Sequence, residues 1–196
     1  MSILLTTTTQ LLASLRSGEN EPAWSLLVAR YEPVLVGVAR RMGLGEADAA
    51  DAAQQTLVDM VREVRGGGFD RQRGGLRRWA LGILRHRVVD IVRARPAAID
   101  VRERRIIDVD LEESWEAEFE RHLAVTALES LRTSTRFNPN TLLAFELTVI
   151  REVPPQAVAI ECGMSTDEVY VARSRVARKL RDTMADLRKA CLDAEQ

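Results

Sequence analysis

Along most of the chain, apolar residues return every three or four positions, the spacing that gathers them on one face of a helix. Few stretches alternate with a period of two, so the pattern predicts an all-α protein. The first helix is expected over Thr9–Ser17 and stops at Gly18. A second begins near Glu21-Pro22, with proline at an early helical position where its missing N–H is no loss. It turns Trp24, Leu27, Val28, Tyr31, Leu35 and Val38 inward, and Pro33 within it is a site for a kink. "GLGE", Gly43 to Glu46, ends it. A third helix runs from about Glu46 to Val64. Ala50, Ala53, Leu57, Met60, Val61 and Val64 are its apolar positions, while Asp48, Asp51, Gln55, Asp59 and Arg62 share a polar face.

"GGGFDRQRGG", Gly66 to Gly75, reads as a loop, and without a GK[ST] ending it is no nucleotide-binding loop. The next helix is expected over Leu76–Arg95, with Trp79, Ile83, Val88 or Arg87, and Ile91 at helical spacing. Arg77, Arg78, Arg85, Arg87, Arg93 and Arg95 crowd the rest of its surface. Pro96 ends it, and the acidic stretch to about Trp115 is short of helical signals and reads as a linker. A second helical region follows. It has a helix from Glu116 to about Leu131, a loop around "FNPN", a helix Thr141–Arg151, a break at Pro154-Pro155, a short helix to Cys162, and a last helix.

That last helix opens with a capping box. Ser165-Thr166-Asp167-Glu168 places a hydroxyl and a carboxylate where each can satisfy the other's backbone N–H. Val169, Ala172, Val176, Leu180 and Leu187 share the buried face; Asp167, Val171, Ser174, Arg178 and Arg181 point away, with Arg175 at the flank. "PQAVAIECGMS" ahead of it supplies a short helix and a glycine turn, completing a helix-turn-helix. In that arrangement the second helix enters the major groove, and exposed Val171 and Ser174 beside Arg175 suit base reading and phosphate contact. The expected architecture is two small helical domains, 1–95 and 116–196, joined by an acidic linker 96–115, the second containing the helix-turn-helix.

Net charge barely matters here, because 28 basic residues nearly balance 29 acidic ones. Its distribution does matter. Arg62–Arg95 holds ten arginines against three acids, and Pro96–Glu120 three arginines against nine acids, so the first segment calls for an anionic partner. Cys162 and Cys191 form no CxxC and have no histidine at metal-ligand spacing, which argues against zinc and for a reducing cytoplasm. No cofactor is implied. The start "MSILLTTTTQLL" lacks the basic and long apolar parts of a signal peptide, and no apolar run is long enough to span a bilayer. The expected location is cytoplasmic.

"LLASLRSGENEPAWSLLVARYEPVLVGVARRMGLGEADAADAAQQTLVDMVREV" and "FDRQRGGLRRWALGILRHRVVDIVRAR" resemble the second conserved region of bacterial sigma factors. The stretch from about Phe119 to Leu187 resembles their fourth region. The two-domain layout looks like the extracytoplasmic-function class, and the resemblance covers roughly residues 10–190. It implies that Asp48, Asp51, Gln54, Gln55 and Asp59 dock on the clamp of the largest subunit of core RNA polymerase. It implies that the loop Gly66–Gly75 and the helix Leu76–Arg95 recognise and melt the minus-ten element, with Arg73, Arg77, Arg78, Arg85, His86 and Arg93 on DNA. It implies that Ser165, Thr166, Tyr170, Val171, Ser174, Arg175 and Arg178 read the minus-thirty-five element. An anti-sigma factor is a further implied partner.

The sequence departs from the family at Gln55, where an acid is common, at His86, where asparagine is common, and at Tyr170, Val171 and Ala172, where a basic residue, serine and arginine are common. Those positions bear on which promoter is read. Two other classes compete: a sigma-like DNA-binding regulator that does not engage polymerase, and a nuclease. The polar stripe on the third helix opposes the first. Against the second, Asp48, Asp51 and Asp59 lack a converging carboxylate motif, and His86 and His122 lie far apart with no nucleophile near, so no enzyme is expected.

Overall fold

The computed structural model describes residues 8–17, 21–70, 75–94, 109–133 and 137–192; these form helices and the turns between them, with no strand. The helices are α1 (Thr8–Arg16), α2 (Glu21–Arg41), α3 (Glu46–Arg65), α4 (Leu76–Arg93), α5 (Leu111–Arg132), α6 (Pro139–Phe145), α7 (Pro155–Cys162) and α8 (Thr166–Leu192). A π-helical turn, Glu146–Ile150, extends α6. By internal contact the chain divides into two units, residues 2–122 with 189–196, and residues 123–188.

In the first unit, α3 lies along α2, and α4 packs against both. Ala49, Ala52 and Ala53 of α3 and Val34, Leu35, Val38 and Ala39 of α2 have no exposed surface at all. Side chains this small let two helix backbones come close, and Leu57, Met60, Leu84 and Val88 complete the core. Helix α2 continues through Pro33, which stands on its exposed side. Helix α4 departs from expectation. Its core positions are Leu76, Ala80, Leu81, Leu84, Val88 and Val92, while Trp79, Ile83 and Ile91 are only half-buried. Four-residue steps from Leu76 to Val92 make a full apolar stripe, and the indole N–H of Trp79 needs a polar neighbour, so its ring sits at the edge.

Helix α5 starts at Leu111, five residues ahead of the expected Glu116, so residues 111–115 are not linker. Asp110 explains the early start: its Oδ1 accepts the Glu113 N–H at 2.9 Å, the work of an N-cap. Trp115 and Phe119 are then buried, with the Trp115 ring 6.1 Å from Tyr31. The buried Glu118 carboxylate accepts from Arg41 at 2.8 Å and Arg121 at 3.0 Å, and lies so close over α2 that a Cβ on Gly37 would clash with it. Residues 96–108 of the expected linker lie outside the described residues, as do Arg73 and Arg95.

The hydroxyl of Thr8 sits in the buried part of this unit. It donates to the Cys191 carbonyl at 2.7 Å and accepts from Arg30 at 3.4 Å. Its one proton is thereby used, so the Tyr31 hydroxyl, 3.2 Å away, donates to it.

The second unit is built from the rest of α5, α6, α7 and most of α8. Ala144, Leu147, Val158, Ala159, Cys162, Val169 and Ala172 form one buried cluster, and Leu131, Leu142, Phe145 and Val176 another. The helix expected over Thr141–Arg151 is the pair of α6 and the π turn. Arg132 holds Glu146 at the start of that turn at 2.8 Å, and this bond keeps the Glu146 carboxyl below its usual range. Asn138 caps α6, and Asn140 donates to the Cys162 carbonyl at 3.1 Å, tying the start of α6 to the end of α7.

Burial raises the Tyr31 hydroxyl to about 12, with Arg30 and Thr8 pulling the other way. The folded state therefore holds this proton more tightly than the unfolded chain, whose tyrosine titrates near 10. The resulting stability is complete below pH 10 and is lost as pH rises from 10 to 12, on the order of 2–3 kcal/mol. Denaturant unfolding followed across this range should show the fall, and Tyr31→Phe should flatten it.

Candidate nucleic-acid interface

Two surfaces, one in each unit, carry the residues singled out from the sequence. On the first, α3 presents Asp51, Gln54, Gln55 and Val58 to solvent, and Asp48 is half-buried beside them. The one polar residue on the inner face, Thr56, is satisfied by donating to the Ala52 carbonyl at 2.7 Å. Gln54 reaches Glu32 of α2 at 3.5 Å. Asp59, expected on the same docking face, is turned toward α4. Its Oδ2 accepts from Nε of Arg87 at 2.7 Å and from a second Arg87 nitrogen, and Oδ1 accepts from Arg62 at 3.2 Å. A carboxylate held by two guanidiniums on its own unit is a structural tie.

A groove with a cavity volume of about 530 Å³ opens between α3 and α4. Trp79 and Ile83 give it apolar surface, Gly82 leaves its floor bare, and Arg78 and His86 stand exposed along it. Glu63 accepts the Trp79 indole N–H at 3.1 Å, and Phe69 packs on the same ring at 4.7 Å between centroids. Two α3 carboxylates thus fix the groove side of α4. An aromatic face with donors at its rim suits a planar base and the backbone that carries it.

The arginines of α4 have different fates. Arg78, Arg85 and Arg93 are exposed, as is His86. Arg77 is not displayed: its guanidinium meets Glu112 at 2.7 Å and Glu116 at 3.1 Å and donates to the Glu112 carbonyl. Helix α5 therefore takes a group that the sequence assigned to DNA. Arg87, Glu63, Glu112 and Glu116 were missed as site-forming residues. Their partners lie 16 to 39 residues away, beyond any helical repeat.

On the second surface, Gly163 takes the left-handed conformation (φ 63°) that stops α7 and turns the chain into α8. The capping box forms as expected. Glu168 N–H donates to the Ser165 hydroxyl at 3.2 Å, and the Glu168 carboxylate accepts from the Ser165 N–H at 2.7 Å and hydroxyl at 2.9 Å. Those bonds hold the Glu168 carboxyl below its usual range. The Ser165 side chain is accordingly spent on the helix start, and Thr166 beside it is half-buried. Val169, Ala172 and Val176 are buried, while Tyr170, Val171, Ser174, Arg175 and Arg178 are exposed. Val171 and Tyr170 each show about half their surface, 53% and 49%. Apolar side chains held out in solvent beside a hydroxyl and two guanidiniums match a face that touches thymine methyls, base edges and phosphates.

Among the described residues, no group of three histidine, cysteine or acidic side chains is arranged to hold a metal ion. None of their helices is long and apolar enough to cross a membrane.

Residues 27–96 match the family described as sigma-70 region 2. No curated protein matches the chain. Among solved structures, the chain is similar to one described as CnrH in complex with the cytosolic domain of CnrY, at 24% identity and a TM-score of 0.37, over 89% of this chain and 95% of that one.

Because Ser165 and Glu168 satisfy each other across one turn, Ser165→Ala removes an N-cap without touching the core. We expect unfolding stability of the chain to fall by about 1 kcal/mol in denaturant titration, with α8 fraying first at Thr166–Val169 in amide exchange.

Proposed function

From the match of residues 27–96 to the family described as sigma-70 region 2, we propose that the protein is a sigma factor of the extracytoplasmic-function class, which binds core RNA polymerase and directs it to a set of promoters. One observation carries this reading: the matched segment contains both the outer face of α3 and the groove-bearing helix α4. Asp48, Asp51, Gln54 and Gln55, with exposed Val58 on the same helix, dock on the polymerase largest subunit. The α3–α4 groove receives a base lifted from the minus-ten strand, and Arg78, Arg85, His86 and Arg93 hold that strand's backbone. Asp59 serves this scheme by fixing Arg87. In the second unit, Tyr170, Val171, Ser174 and Arg175 of α8 read the minus-thirty-five duplex, with α7 and the Gly163 turn setting the angle of entry. Neither step breaks or makes a covalent bond in the DNA, so the protein needs no catalytic group of its own.

Run-off transcription tests the proposal directly. Core bacterial RNA polymerase and a promoter library, with and without the protein, should give protein-dependent transcripts that start downstream of a shared two-part motif. No transcripts, together with salt-sensitive duplex binding, would support a DNA-binding regulator instead. The docking face has its own check. Asp51→Arg combined with Gln55→Arg alters two exposed positions and should lower polymerase pull-down at least tenfold while circular dichroism stays that of the parent.

A further inference from the structure

In the second unit, a cleft of about 450 Å³ lies beside α8, between the start of α6 and the middle of α8. Arg175, Arg178, Lys179 and Asp182 line one side, spaced three, four and seven residues apart on one helical face, and Asn138, Thr141 and Phe137 line the other. Phe137 belongs to the apolar cluster beneath and closes the floor.

The charges in this cleft differ from the paired arginines of the protein. Arg41, Arg62, Arg77, Arg87, Arg121 and Arg132 all hold carboxylates. Among the described residues, Arg175, Arg178 and Lys179 make no ion pair, although Asp182 shares their cleft. The far wall adds donors. Asn138 spends its side-chain oxygen on the Asn140 N–H, which leaves the amide NH2 to face a ligand, and Thr141 brings a hydroxyl. Two guanidiniums, an ammonium, an amide and a hydroxyl against a single carboxylate form a site for a group with several acceptor oxygens and negative charge.

We infer that this cleft seats backbone phosphates of the DNA duplex that α8 reads, with Lys179, Asn138 and Thr141 as its unassigned contacts. The inference rests on the proposed reading of α8 as a DNA-contacting helix. Continuity selects DNA over other phosphates: the face runs unbroken from Val171 through Ser174 and Arg175 to Arg178 and Lys179, about 12 Å of helix. The exposed valine and serine at one end address base edges, and the cations at the other lie where the strand leaves the groove. Asp182 opposes the phosphate and caps the affinity.

Phosphate contacts are independent of sequence, so the test needs only mixed-sequence duplex DNA and the full chain. Dissociation constants are measured over a range of salt, because each neutralised phosphate adds about 0.9 to the slope of log affinity against log salt. Arg178→Gln with Lys179→Gln should lower that slope by about two contacts, Lys179→Arg should keep it, and Asp182→Asn should tighten binding severalfold. A folded double variant with the parent slope overturns the phosphate seat and leaves the DNA reading intact. If the double variant does not fold, unchanged affinity in Asp182→Asn overturns the seat. A parent chain that binds no duplex at all overturns both.

Discussion

The alanines on the inner face of α3 set how near α2 can come, and that separation decides what the outer face of α3 is free to do. Ala49, Ala52 and Ala53 occupy little space, so α3 meets Val34, Leu35, Val38 and Ala39 of α2 with small side chains of its own. The opposite face is then left to Asp51, Gln54 and Gln55, and the C-terminal turns to Asp59 and Glu63. These last two reach α4 and hold Arg87 and Trp79. One helix therefore supplies the core, a docking face and the brace of a groove, each at its own angular position.

The elements visible in the sequence were those written in local repeats. Four-residue steps along α3 and the S-x-x-E start of α8 need no knowledge of the rest of the chain, and both formed as read. What stayed hidden was decided by neighbours distant in sequence. Trp79 and Ile83 have the spacing of a core stripe, yet Leu84 and Val88 are the residues that meet the other helices. Arg77 looks like its exposed neighbour Arg78 until α5 arrives with Glu112 and Glu116. The early start of α5 had a local signal, Asp110 three residues before Glu113, but the surrounding acidity hid it.

The same distinction separates the two surfaces electrostatically. In the first unit, carboxylates from α3 and α5 take up Arg87, Arg77 and Arg41, so its net field toward DNA is smaller than a count of arginines suggests. In the second unit, Arg175, Arg178 and Lys179 of α8 keep their charge for a partner. Exposed, unpaired charge acts over about a Debye length and steers encounter; paired, half-buried charge fixes geometry. The ten arginines of Arg62–Arg95 had pointed only to an anionic partner for that segment.

Thr8 bonds to the carbonyl of Cys191, 183 residues further along the chain. Synthesis proceeds from one end, so α1 and α2 leave the ribosome long before their partner in this contact exists. Until then the Thr8 hydroxyl, which also meets Tyr31 and Arg30, has water in place of the Cys191 carbonyl, and Ala190 and Cys191, both buried in the finished fold, have yet to be made. The first unit thus completes its packing only with the last turn of α8. Its final stage of folding waits on the synthesis of α8, even though α3 and α4 can assemble on α2 much earlier.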